Sequence, residues 1–451
     1  MEKSEPLIIL DNQETPIVVK ESQLQLQPTE NHTRDVHILS LAFLLIFLAF
    51  GAFGATQNLE STLNTEHNLG TTSLGILYLS FTLFSLFASL VVRLLGTKNS
   101  LMIGTSGYWF YVAANLKPNW YTLVPASLYL GFCASIIWVG QGTYLITTAR
   151  SHATDSNFHE GTIIGNFNGV FFGVYALNQL IGNLIAFALL SNVKEGSATI
   201  LFIVFLSFVT FGAILMCFLS KRSSNSTKEN KKLGTDDDAG ESSSFKSLSI
   251  SLMSSLTDTK MLLIIPLIAY SGLQEAFVWA EFTKHVVTPA IGVSGVGIAM
   301  ASYGAFDGIC SFAAGRLTSG LKSITSIVFF GAFAQAIVLV LLLLDFSIPS
   351  RFLATSYILF LAALMGIGDG VLATQLNVLL AMLFNHDTEG TFAQLKIWQS
   401  TTIAMVFFLS PYISFQTFIT IMLVFLCLSL CSFLWLTLKV GKTSSSPSTS
   451  E

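Results

Sequence analysis

GIGDGVLATQLNVLLAMLFNHDTEGTFAQLKIW, residues Gly366 to Trp398, holds an aspartate, Asp369, in the middle of an apolar run that begins after Arg351 and stops before the polar residues Asn385 to Glu389. A helix of that length crosses the ~30 Å of a bilayer's hydrocarbon. A carboxylate at its centre costs at least ~2.5–3.5 kcal/mol unless something compensates it, so Asp369 is expected to have a partner. The same layout occurs earlier as GFCASIIWVGQGTYLITTARSHATDSNFHEGTIIGNF, from Gly131 to Phe167. With Gln141 set against Gln375, Ser135 falls opposite Asp369 and Thr143 opposite Asn377, and both copies resume with Glu-Gly-Thr at Glu160 and Glu389. The chain reads as a duplication.

Only 11% of the 451 residues are charged and 38 are Phe, against about 25% charged in ordinary soluble domains. That is the composition of a protein whose first partner is a lipid bilayer. The net charge of −4 and the absence of a basic face exclude a nucleic-acid surface. The five cysteines lie inside apolar segments without CxxC spacing, and no histidine has metal-ligand spacing with another. Neither cofactor nor metal is expected.

Apolar segments long enough to span follow at about residues 37–58, 73–95, 100–116, 120–147, 162–190, 198–220, 260–282, 292–315, 323–344, 352–383, 392–411 and 413–438. The expected fold is therefore all-α: a polytopic membrane protein of twelve transmembrane helices in two six-helix, pseudo-symmetric halves. The expected domains are a disordered cytosolic tail (1–36), a first bundle (37–220), a Ser/Lys-rich cytosolic linker (221–259), a second bundle (260–439) and a cytosolic tail (440–451). With both termini inside, the inner segments carry 18 Lys and Arg, Lys396 among them, and the outer loops only Lys117, Lys194, Lys284 and Arg351.

Six plus six helices around a cytosolic loop is the layout of the major facilitator superfamily. Its basic cytosolic turn between helices two and three survives as Arg93-Leu94-Leu95-Gly96-Thr97-Lys98, with a counterpart running from Gly315 and Arg316 to Lys322. These gating turns can tie neighbouring helix ends together through contacts to helix C-termini. The superfamily's usual aspartate is absent from the first turn.

Several strings together resemble the Unc-93-like branch of that superfamily: Gln57 to Asn64, Leu69 to Gly75, Trp120 to Pro125, Trp138 to Tyr144, and Gly368-Asp369 through Gln375 to Asn377. The resemblance implies a non-enzymatic membrane protein that influences potassium homeostasis by associating with a channel or transporter. A cation- or proton-coupled transporter of a small solute, and an escort for membrane receptors, are the alternatives. No TVGYG-like filter occurs, so the chain is not read as a potassium pore. The plasma membrane is the expected location, with endosomal or vacuolar membranes behind it.

Superfamily cavities are lined chiefly by helices one, four, seven and ten. The candidates for a substrate or monovalent-cation cavity are accordingly Gln57 and Asn58; Trp138, Gln141 and Tyr144; Gln274, Glu275 and Trp279; and Asp369, Gln375 and Asn377. Several have a plainer alternative. Asp369 borders a small-residue stripe, Gly366, Gly370, Ala373 and Asn377, that suits close helix packing. Gln375 projects about 120° away from it, given 100° per residue. Trp138 and Trp279 can be packing residues. Glu60 and Glu281 are expected at the outer mouth, and Asp307 in a pair with Arg316 or Lys322. With no Lys or Arg expected in the membrane, a proton or monovalent cation is the anticipated partner of Asp369.

Overall fold

A computed structural model describes residues 31–48, 69–190, 197–222, 258–344 and 351–445. These residues form twelve helices: α1 (31–48), α2 (Leu69–Leu95), α3 (Thr97–Ala114), α4 (Trp120–Ser156), α5 (Glu160–Leu190), α6 (Ser197–Cys217), α7 (Thr259–Ile291), α8 (Val293–Leu317), α9 (Leu321–Leu343), α10 (Arg351–Leu383), α11 (Thr388–Leu409) and α12 (Phe415–Ser445). Eight of them are long and apolar enough by composition to cross a bilayer. Helix is the expected form for such segments, because backbone groups in hydrocarbon must be satisfied within the segment.

Local chemistry sets the helix ends. Asn119 and Thr122 form a reciprocal capping box at the start of α4, at 2.9 and 3.1 Å. Asp258 caps α7 through the Lys260 amide and Asp387 caps α11 through the Gly390 amide. The α2–α3 reversal turns on Gly96, whose φ of 78° disfavours any residue with a Cβ. Several ends differ from the hydropathy reading: α1 is already helical from residue 31, within the expected tail, α7 runs on to Ile291, and α12 continues to Ser445, past the expected start of the second tail. Helix α4 runs past residue 147 to Ser156, because its polar last turns leave the apolar layer without leaving the protein. Within α7, Phe277–Val287 widens into a π-helix, a rare geometry that is frequent at functional sites.

The halves α1–α6 and α7–α12 meet along two seams, α5 on α8 and α2 on α11, of which the first is the more extensive. Glycines make the α5–α8 approach possible: a Cβ added to Gly169 would lie 2.8 Å from the Gly315 Cα, and one added to Gly315 would lie 2.5 Å from the Gly165 carbonyl oxygen. Gly315 therefore belongs to the seam and not to a gating turn. Helix α10 lies as closely on α8, with Gly366 against the Tyr303 carbonyl and Gly370 against that of Asp307. It is continuous through its glycines.

Candidate functional site

A cavity of about 190 Å³ lies between the halves, walled by α1–α5 on one side and by α7, α8, α10 and α11 on the other. On α2 and α4 its lining residues stand in the first half of each helix, from Leu74 to Phe81 and from Leu130 to Trp138. It is thus displaced toward the end of the bundle where those helices begin.

Five sequence-predicted residues line it: Trp138, Glu275, Trp279, Asp369 and Asn377. Asp369 accepts a hydrogen bond from the Tyr303 hydroxyl of α8, so it both faces the cavity and is tied to a neighbouring helix. Gln375 does not join it. It is buried against Thr318, exchanging hydrogen bonds at 2.9 and 3.1 Å, as the angle between the two positions requires. Gln141 and Gln274 are buried without lining the cavity. Tyr144 stands elsewhere too, donating to Asp35 and to the Ser220 carbonyl, each at 3.0 Å, in a cluster that Arg222 completes. Gln57, Asn58 and Glu60 lie outside the described residues.

Three expectations are corrected. Lys396 is not a loop residue: it lies two turns into α11, 9% exposed, and lines the cavity. Its ammonium sits 4.4 Å from the centre of the Trp138 ring and donates to Gln399 Oε1 at 2.8 Å, while Gln399 Nε2 donates to Glu275 at 2.9 Å. A membrane-embedded cation is therefore present, held by a ring face, an amide and a carboxylate one step away. Asp307 pairs with neither Arg316 nor Lys322. It faces the cavity and accepts from the Ser311 hydroxyl at 3.2 Å, because it lies inward on α8, away from that helix's exposed basic end. Glu281 is not at a wet mouth: it is 2% exposed, accepts from Ser410, and lies 3.4 Å from His285.

Sequence reasoning also missed α5, which adds Tyr175, Asn178, Gln179 and Asn183 to the lining. The available signal was five amides in one apolar segment, residues 162–190, three of which line the cavity. Lys396 was legible as well, a lone lysine inside a predicted span.

The opposite end is closed by arginines of the first half gripping the α10–α11 turn of the second. Arg93 pairs with Asp387 at 2.5 Å and approaches Glu389 at 3.9 Å. Arg150, at the end of α4, donates to the Ala381 carbonyl at 2.8 Å, Asn385 at 2.9 Å, Thr388 at 3.1 Å and, within its own half, Glu160 at 2.9 Å. Lys98 donates to the Cys217 carbonyl at the end of α6, a contact that suits the helix dipole. Arg316 and Lys322 are exposed and form no ion pair among the described residues.

The Lys396–Gln399–Glu275 chain makes a prediction. Lys396→Met leaves Glu275 without its cation, and Glu275→Gln leaves the ammonium without its anion, so each should lower stability by about 1–3 kcal/mol. The double variant should recover most of the loss, measured by thermal unfolding of purified protein. Strict additivity of the two losses would show that the groups do not communicate.

Two half-bundles closing on a charged central cavity define a helical membrane protein of the major facilitator fold. Solved structures agree: the chain superposes on an Escherichia coli fucose:proton symporter with a TM-score of 0.62 at 11% identity, over 90% of this chain and 99% of that one. It superposes on the human organic anion transporter MFSD10 with a TM-score of 0.61 at 13% identity, over 90% and 99%. More narrowly, residues 61–434 match the family model described as ion channel regulatory protein UNC-93, and the chain belongs to that family. It is 61% identical to UNC93-like protein 3 of Arabidopsis thaliana over 396 residues, 87% of this chain and 83% of that protein. It is 27% identical to a putative potassium channel regulatory protein unc-93 of Caenorhabditis elegans over 442 residues, 89% of this chain and 60% of that one.

Proposed function

We propose that this UNC-93 family protein regulates potassium homeostasis by associating with a channel or transporter in the same membrane, with both termini in the cytosol and the plasma membrane as its location. The family match carries the reading, together with the nematode relative's description as a potassium channel regulator. Physical reasoning supports it: the cavity is stoppered at one end by Arg93 and Arg150, and no filter-like string of carbonyls occurs in the sequence. An effect on potassium flux is then exerted through a partner's pore. Purification from native membranes should recover a channel or transporter with the protein, and cells lacking the protein should have altered potassium content. Recovery of the protein alone together with unchanged potassium would sink the proposal.

A second reading is favoured by the cavity: secondary transport of a small solute by alternating access, with Asp369 and Glu275 carrying the coupling charge. In reconstituted vesicles, ion-driven solute uptake that Asp369→Asn uncouples supports it. Uptake that ignores every imposed ion gradient does not.

A further inference from the structure

Three carboxyl groups and one amino group share the central cavity, and they do not pair off one to one. Lys396 is the one basic side chain among the described lining residues, and it is already engaged by the Trp138 face and by Gln399, which passes the contact on to Glu275. That matches one positive charge with one negative. Asp307 and Asp369 remain, on helices that touch: a Cβ placed on Gly370 would meet the Asp307 carboxylate at 2.8 Å and the Ser311 hydroxyl at 2.9 Å. Each acid, 8% exposed, receives a hydroxyl, Asp369 from Tyr303 and Asp307 from Ser311, and neither has an ion-pair partner among the described residues. A buried acid pair without a cation is a position that positive charge stabilises.

What surrounds the pair decides which cation fits. The cavity's volume, about 190 Å³, is roughly that of six waters, far more than a bare monovalent ion fills. Its walls are dominated by aromatic and aliphatic side chains, including Phe47, Tyr175 and Trp279. An inorganic ion on the two acids would leave most of that space and its ring faces unused, whereas an organic body gains burial and ring faces attract a cationic head. The Lys396 ammonium over Trp138 is an internal example of that contact.

We propose that the central cavity is a binding site for a small primary organic ammonium ion, its charged head on Asp307 and Asp369 and its apolar body against the aromatic wall. The proposal deepens the second reading above, since it names the chemical class of solute, but it requires binding only and not movement across the membrane.

The test is equilibrium binding to the purified full-length protein near neutral pH, followed by thermal unfolding and calorimetry. The probes are 3,3-dimethylbutylamine, its neutral counterpart 3,3-dimethylbutan-1-ol, potassium chloride, and the zwitterion β-alanine. The amine should stabilise the protein saturably, and the alcohol, potassium chloride at matched ionic strength and β-alanine should not. Asp307→Asn and Asp369→Asn should each weaken amine binding about tenfold or more, as expected when one side of a buried charge contact is removed. No stabilisation by the amine, equal stabilisation by the alcohol, or tighter binding of β-alanine or potassium would overturn the proposal. So would amine affinity unchanged in both Asn variants. The comparison of amine with alcohol uses the unmodified protein, so it stands even where a variant fails to fold. Amine binding without uptake in vesicles would remove the transport reading and leave this one intact.

Discussion

Gly315→Leu should abolish recovery of folded, monodisperse protein. Gly315 lies where α8 meets α5, and the first added carbon alone would stand 2.5 Å from both the Gly165 carbonyl oxygen and the Gly169 Cα. Neither neighbour is a side chain that can swing aside; both are backbone, so the helices must separate. In hydrocarbon there is no hydrophobic force to close the gap again, and association depends on the close packing that small residues permit. Overpacking usually costs about 1–3 kcal/mol where neighbours can adjust, and here the adjustment undoes the larger seam between the halves. Gly320→Ala is the matched control, since nothing lies within 4 Å of that position. Size-exclusion profiles after detergent extraction provide the measurement. A Gly315→Leu protein that elutes and melts like the parent would show that this seam does not hold the halves together.

The second large effect is conformational. Removing both arginines of the closed end, Arg93→Ala with Arg150→Ala, should free the α10–α11 turn and let the two halves part there. Hydrogen bonds to charged groups are worth about 1.5–3 kcal/mol each. Losing the set should therefore raise the population open at that end at least about tenfold. Spin labels on cysteines introduced at Thr154 and His386, both exposed and on opposite halves, report the opening as a second, longer distance component, with the exposed native cysteines replaced. A distance distribution unchanged in the double variant would mean that the arginines decorate a contact maintained by other groups. Preserved folding is expected, because α5–α8 packing does not involve these side chains.

Much of the architecture was legible before any coordinates. The spacing of apolar runs located the helices, since a bilayer imposes a minimum length and forbids unsatisfied backbone, and the Gly131 and Gly366 copies pointed to two related halves. Asp369 stood out for a reason equally local: a lone acid in an apolar segment demands a partner. Identifying the partner was a different matter. Tyr303 is 66 positions from Asp369 in sequence and touches it only because Gly366 and Gly370 let α10 lie against the α8 backbone. Helical spacing already set Gln375 about 120° away from Asp369, but Tyr144 looked equivalent to it as a polar residue in the right helix, and hydropathy carries no information on which neighbours a side chain meets.

Lys396 marks the boundary between the two kinds of knowledge. As a letter in a sequence, a lysine eight residues into α11 can be read as a cytosolic charge beside a helix end. As a side chain, it reaches the ring face of Trp138 from the other half of the protein, and it is linked through Gln399 to one of the chamber's three acids, leaving two over. Sequence alone determined that this protein crosses a membrane many times and carries costly charges inside it, because solvation energy depends on composition along the chain. Which charges meet, which end is shut and what the cavity has left to offer a ligand were decided by tertiary packing, because those depend on distances of a few ångströms between residues hundreds of positions apart.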